Sequence, residues 1–272
     1  MGKVYGYIHY SLIIIIISAS VLQNGINKVG LLGRKTYYPA LFYVLCTSLI
    51  CFNETFSPYI LGNFFFILSI KRSLLIHNLH SAKPNAYDSG LYLGIASLIS
   101  PAYLLLGVAL IITFAILKST DLKEIILIIF GILTPFLYLY GWMFWNEVPF
   151  SEIYLKVGYE HDLFSNDLQL YFLILSGLLT FFGIFHFFKG FKRSTMFERR
   201  LRYVFIVLVL CMLATFFLGC GKDWYLCSLL YFTVPLSLIF SYYFTDTNWP
   251  IIASLIYYIW LFTGFFSLYV VG

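Results

Sequence analysis

Residues 91–117, LYLGIASLISPAYLLLGVALIITFAIL, form a stretch of 27 residues without one charged side chain. A helix crosses the hydrocarbon core of a bilayer with about 20 residues. The run is long for one straight crossing and short for two, and the choice decides which side of a membrane every later loop occupies. The rest of the chain belongs in the same setting. Of 272 residues, 61% are apolar, 21% aromatic and 11% charged, against roughly 25% charged in a soluble globular domain. No soluble core absorbs so much apolar surface, whereas a lipid-embedded helical bundle does. No segment is polar enough and long enough to fold separately, so the sequence predicts a single integral membrane domain over 1–272.

Apolar runs bounded by charges or turn residues predict spans at Tyr7–Leu22, Tyr38–Phe52, Pro58–Ile70, within 91–117, and at Ile125–Asn146, Leu168–Phe188, Tyr203–Gly219, Tyr225–Phe244 and Pro250–Val271. Lys3, the apolar stretch Leu12–Ile17 and Ser18-Ala19-Ser20 loosely imitate a signal peptide, but further spans follow and we read an uncleaved first helix. Gly2 lacks the Ser or Thr four positions on that myristoylation prefers, because Gly6 stands there.

Lys and Arg accumulate on the cytoplasmic side of membrane proteins. If 91–117 crosses twice, the loops 23–37, 71–90, 118–124, 189–202 and 245–249 share one side and hold 14 basic residues, leaving Lys3, Lys156 and Lys222 opposite. If it crosses once, the split is 8 against 9 and the bias vanishes. Pro101 lacks a backbone donor and disfavours a helical Ser100, so a break fits there. Asp88, Ser89 and Gly90 offer an N-cap just before the run, making the first half a short helix over about 89–100. The predicted fold is therefore all-α: a polytopic transmembrane helical bundle of about 9–10 membrane elements, with a broken or re-entrant pair at Ser100–Pro101 and both termini outside. The basic stretch 189–202 is explained by this topology, which leaves a nucleic-acid reading unsupported.

The segments LLGRKTYYPALFYVL, FSPYILGNFFFILSIKRSLLIHNL and AYDSGLYLGIASLISPAYLLLGVALII share ordered features with a known group. These are an Asn-Phe-Phe span ending in a basic pair (Asn63, Phe64, Phe65, Lys71, Arg72), then Tyr87-Asp88-Ser89-Gly90, then the small-residue helix Ala96-Ser97-Leu98. Over residues 29 to about 117 the chain resembles a family of uncharacterised multi-pass inner-membrane proteins of Bacteroidota. The resemblance implies a bacterial inner-membrane location and an all-helical fold, and it carries no catalytic residue across.

Two sets of residues stand out as candidate sites. Glu54, in an early outer connection, and Glu152 and Asp162, in the acidic stretch 147–167, are candidate catalytic carboxylates for chemistry on a lipid-linked substrate of the polyprenyl-phosphate sugar type. For Glu54 the plainer reading is a solvated hairpin carboxylate that anchors the interface. Lys71 and Arg72 are candidates to grip a lipid phosphate, with Asp88 pairing to either. Alternatively the two bases only mark topology, Asp88 is a cap and Asn63 bonds across helices. His77 and His80 share a helix face, but five scattered histidines are too few for a metal centre, and no metal or cofactor is expected. In KRSLLIHNLH, a surface helix with Leu74, Leu75 and Leu79 dipping into lipid is the plainer reading. Cys220 and Cys227 flank a short outer loop and offer a disulfide only if both flanks are not helical. The chain has neither a GxxxxGK[ST] phosphate loop nor a GxSxG elbow. Spans without a mid-membrane charge argue against a proton- or sodium-coupled transporter. The sequence thus favours an accessory or structural subunit of an inner-membrane assembly, with a lipid bilayer and a membrane protein as partners. A membrane enzyme on a lipid-linked substrate is the alternative.

Overall fold

A computed structural model of the chain describes residues 2–50, 58–78, 82–117, 122–148, 195–218 and 225–246, with most of 180–188 and 254–262. Every regular element among them is helical. In chain order these are α1 (Gly2–Val29), α2 (Tyr38–Ile50), α3 (Pro58–Leu74) with a 3-10 turn at Leu75–Asn78, α4 (Lys83–Ile99), α5 (Ala102–Leu117), α6 (Leu122–Trp145), α7 (Met196–Leu218) and α8 (Tyr225–Asp246). By length and composition, two stretches among the described residues suit a membrane crossing, Ser11–Val29 and Leu122–Trp145. Tyr38–Thr47, Ala102–Leu117 and Phe232–Thr245 are apolar but shorter.

The uncharged run breaks where proline requires it. Ser100 is extended (φ −147°, ψ 127°), α4 stops before it and α5 begins after Pro101. The chain then reverses: Leu93, seven residues before the break, lies against Gly107, seven residues after it. A straight helix would hold those two about 21 Å apart at 1.5 Å per residue, so α4 and α5 form an antiparallel hairpin.

One helix start differs from expectation. α4 begins at Lys83 with Pro84 in its first turn and Ala82 as a cap that makes no side-chain bond, so Asp88 lies inside the helix and caps nothing. Proline at the first turn supplies the helical φ at no hydrogen-bond cost, which starts the helix in polar sequence well before the apolar run. The first half of the run therefore belongs to a 17-residue helix rather than to a short one. Leu74, expected to dip into lipid, is buried, and Leu75 is half-buried. Ile76 packs with Ala82, Ala86, Phe114 and Ile128, which draws the 3-10 turn into the bundle.

Glycines set the tightest packing. Ala86, Gly90 and Gly94 line one face of α4 at four-residue spacing, and Gly131 of α6 presses on the α4 main chain at Tyr87, Gly90 and Leu91. A Cβ on Gly94 would stand 2.6 Å from the Ile132 carbonyl oxygen, and one on Gly90 or Gly131 would overlap the main chain opposite. Small residues at such spacing let helix backbones touch. Contacts climb together along the two helices, Gly90 with Ile128 and Gly94 with Ile132, so α4 and α6 run parallel and α5, which joins them in sequence, runs the opposite way. By contrast, α3 and α4 are antiparallel: Gly62 meets Ile99, and the Ser69 hydroxyl donates to the Ser89 carbonyl at 2.8 Å.

α2 and α8 also run antiparallel, through Tyr38–Phe244 at 6.0 Å and Phe42–Phe240 at 5.5 Å between ring centroids. The core holds Phe42, Tyr43, Phe66, Tyr103, Phe114 and Phe240 with almost no exposure. The outer flanks are as apolar as the core. α6 shows Phe130, Leu133, Leu137, Tyr138 and Trp142 outward, and α1 shows Leu12, Ile13, Ile16 and Ile17. α1 ends on Gly30, whose φ of 72° forms a left-handed cap with its N–H on the Ile26 carbonyl at 3.0 Å.

Candidate functional site

The helix directions bring separate basic stretches to one end of the bundle. Gly25 of α1 touches Lys71 at the end of α3. The Tyr242 hydroxyl, near the end of α8, donates to the Leu31 carbonyl at 2.8 Å, and Arg34 donates to the Thr245 carbonyl. Arg202, early in α7, lies over the Tyr242 ring. The starts of α4 and α6 meet the 3-10 turn through Ile76, Ala82 and Ile128. Lys28, Arg34, Lys35, Lys71, Arg72, Lys83, Lys123, Arg199, Arg200 and Arg202 therefore gather there, whereas α1 places Lys3, and α6 is followed by Glu147, at the other end.

Lys71, Arg72 and Asp88 do come together. Arg72 Nε stands 3.6 Å from Asp88 Oδ2, and both side chains are well exposed, so the pair contributes at most about 1 kcal/mol. Lys71 takes no part in it. Its stem is laid against α1, where a Cβ on Gly25 would meet Lys71 Cγ at 3.2 Å. Burial pushes its ammonium pKa down, and the charges of Lys28 and Arg72 push it further the same way. Lys28, which in the sequence is only one of many topology markers, thus belongs to the same cluster.

Arg202 departs from the expected loop position. It is 6% exposed, donates to the Phe187 carbonyl at 2.7 Å, and lies 5.6 Å from the Phe187 ring centroid and 5.1 Å from that of Tyr242. A guanidinium is planar and weakly hydrated enough to stack this way. The residues before it are helical from Met196, fixed by a reciprocal cap: the Thr195 N–H donates to Glu198 Oε2 at 2.9 Å and the Glu198 N–H donates to Thr195 Oγ1 at 3.3 Å. The spacing Thr-x-x-Glu carries that signal in the sequence.

Asn63 bonds across helices as expected. Its Nδ2 lies 3.1 Å from the Tyr43 hydroxyl and 3.1 Å from the Leu230 carbonyl, joining α2, α3 and α8. Glu54, Glu152 and Asp162 lie outside the described residues, as do Leu79, His80 and Cys220. Among the described residues no group of three or more His, Cys, Asp or Glu is placed to hold a metal. No curated protein and no solved structure matches the chain. Residues 3–268 match the model of a family of unknown function, DUF6427, and the chain belongs to that family.

Proposed function

We propose that this protein is a multi-pass subunit of a bacterial inner membrane, accessory or structural in role, with its basic end in the cytoplasm. The observation that carries this reading is the gathering of basic residues from five separate stretches at one end, with apolar flanks between the two ends. A soluble bundle has no reason to sort its charges along one axis, whereas a membrane imposes that sorting. Shorter helices such as α2 and α5 span by local bilayer thinning or by packing within the bundle. The accessory role is supported by how the interior uses its polar groups. Asn63 bonds to Leu230 and Thr233 of α8 and Ser69 to the Ser89 carbonyl of α4, across helices, whereas Ser89 and Thr233 turn their hydroxyls back on their own helices.

Two measurements test the proposal. After alkaline carbonate extraction the protein stays with the membrane pellet, and release into the supernatant contradicts the membrane assignment. Purified in mild detergent, it brings a stoichiometric protein partner. Isolation alone with one enriched polyprenyl or glycolipid species contradicts the accessory role and favours an enzyme.

A further inference from the structure

We propose that a second copy of this chain docks on the outward side of α1, with the Asn24 amides of the two copies bonded to one another. This rests on the membrane reading above. Ile13, Ile17, Ser20 and Asn24 follow at intervals of four, three and four residues, which sets them in one narrow row along α1. All four are exposed, Ile13 at 52% and Ile17 at 47%. The opposite side of the helix, with Ile15, Ala19, Leu22 and Ile26, is buried in the bundle. The bare flank of α6 presents Phe130, Leu133 and Leu137, and lipid alone satisfies it. The α1 row differs because it ends in two polar residues.

The Ser20 hydroxyl donates to the Ile16 carbonyl of its own helix at 2.9 Å, so this small side chain only lets another helix come close. The Asn24 amide, by contrast, bonds to no described residue. It lies five residues inside Val29, where the apolar crossing Ser11–Val29 ends. That is about 7.5 Å at the helical rise, farther than so short a side chain reaches. Gly25 beside it touches Lys71, so Asn24 stands near the height of Arg72. The polar groups around that height are paired, Arg72 with Asp88 and the Ser69 hydroxyl with the Ser89 carbonyl. Hydrocarbon offers Asn24 neither a donor nor an acceptor. An amide is both at once, so the same residue of another copy completes it. All copies cross the membrane in one direction, hence two α1 helices meet in parallel and each residue of the row faces its own twin. Branched residues in a row with a single asparagine favour two strands in register. Lys28, one turn further on and exposed, stands at the watery end, where salt screens its charge from its twin's.

Two readouts test this in a full-length, cysteine-free chain reconstituted into phosphatidylcholine vesicles. Oxidation joins Ile17→Cys to its own copy and leaves Phe130→Cys on α6 unjoined. Energy transfer between donor- and acceptor-labelled copies, each dye on Glu147→Cys, persists on dilution with lipid. Asn24→Leu weakens that association about ten-fold, Asn24→Gln keeps an amide and retains most of it, and Phe130→Ala leaves it unchanged. Asn24 is exposed, so its replacement leaves the packing of one copy intact. A parent chain that is monomeric on dilution overturns the proposal. Association untouched by Asn24→Leu, or lost equally with Phe130→Ala, overturns the α1 interface. Failure of the membrane reading looks different, because the protein then does not float with the vesicles at all.

Discussion

Gly90 of α4 faces the carbonyl of Ile128 in α6 so closely that a single added β-carbon would overlap the oxygen. Main chain has nowhere to retreat in such a contact, and Gly131 approaches the α4 backbone just as closely from the other side. Gly90→Ala therefore forces the two parallel helices apart and lowers stability by about 1–3 kcal/mol. Gly141, on the same α6, has open space for at least 4 Å around the point where a β-carbon would sit. Gly141→Ala leaves stability unchanged or raises it by up to about 1 kcal/mol. Thermal unfolding in one detergent checks both, and equal effects contradict the packing account.

Asn63 ties three helices through one amide. Asn63→Leu removes the buried amide donor to the Tyr43 hydroxyl and the Leu230 carbonyl and lowers stability by about 1–2 kcal/mol, read as a lower unfolding temperature in the same assay. A neutral substitution contradicts the assigned bonds.

Arg202 is held by planarity as much as by charge. Arg202→Lys keeps the charge but cannot lie flat over Phe187 and Tyr242, and it lowers stability by about 1–2 kcal/mol. Full retention by lysine shows that the ring contacts contribute nothing.

Lys71 carries its charge against a gradient. Its folded-state pKa lies below the usual 10.5, chiefly through burial and then through Lys28 and Arg72. Over the window from that lowered value up to 10.5 the unfolded chain binds more protons, so this group's destabilising contribution is relieved as pH rises. Lys71→Gln abolishes the relief. The stability difference between Lys71→Gln and wild type shrinks on going from about pH 8 to about pH 10, measured by thermal unfolding in phosphate-free buffer and zwitterionic detergent. A constant difference contradicts the lowering of the Lys71 pKa by burial and by its neighbours.

The break at Ser100–Pro101 is legible in the sequence because proline acts locally. So is the gathering of basic residues at one end of the bundle, which follows from counting them along alternating helices. Asp88 misleads because the apolar run begins just after it, whereas Pro84 has already started the helix in a polar stretch. The Gly90-x-x-x-Gly94 spacing is visible in the sequence, but its partner Gly131 lies beyond the whole of α5, and no local pattern pairs them. Arg202 hides in a basic run, since only Phe187 and Tyr242, brought in by the fold, distinguish it from its exposed neighbours Arg199 and Arg200. Lys28 and Lys71 are likewise far apart in sequence and meet only because Gly25 lets α1 and α3 touch.

The most direct test of the account is the sidedness of two positions flanking the hairpin, Lys83→Cys at the start of α4 and Lys123→Cys at the start of α6, each alone in a cysteine-free chain. Glu147→Cys, beyond the far end of α6, serves as the outer reference. An impermeant maleimide added to intact spheroplasts labels only Glu147→Cys, and both lysine positions become reactive after the membrane is opened. Labelling of one lysine position but not the other from outside contradicts the account, because 91–117 then crosses the membrane once.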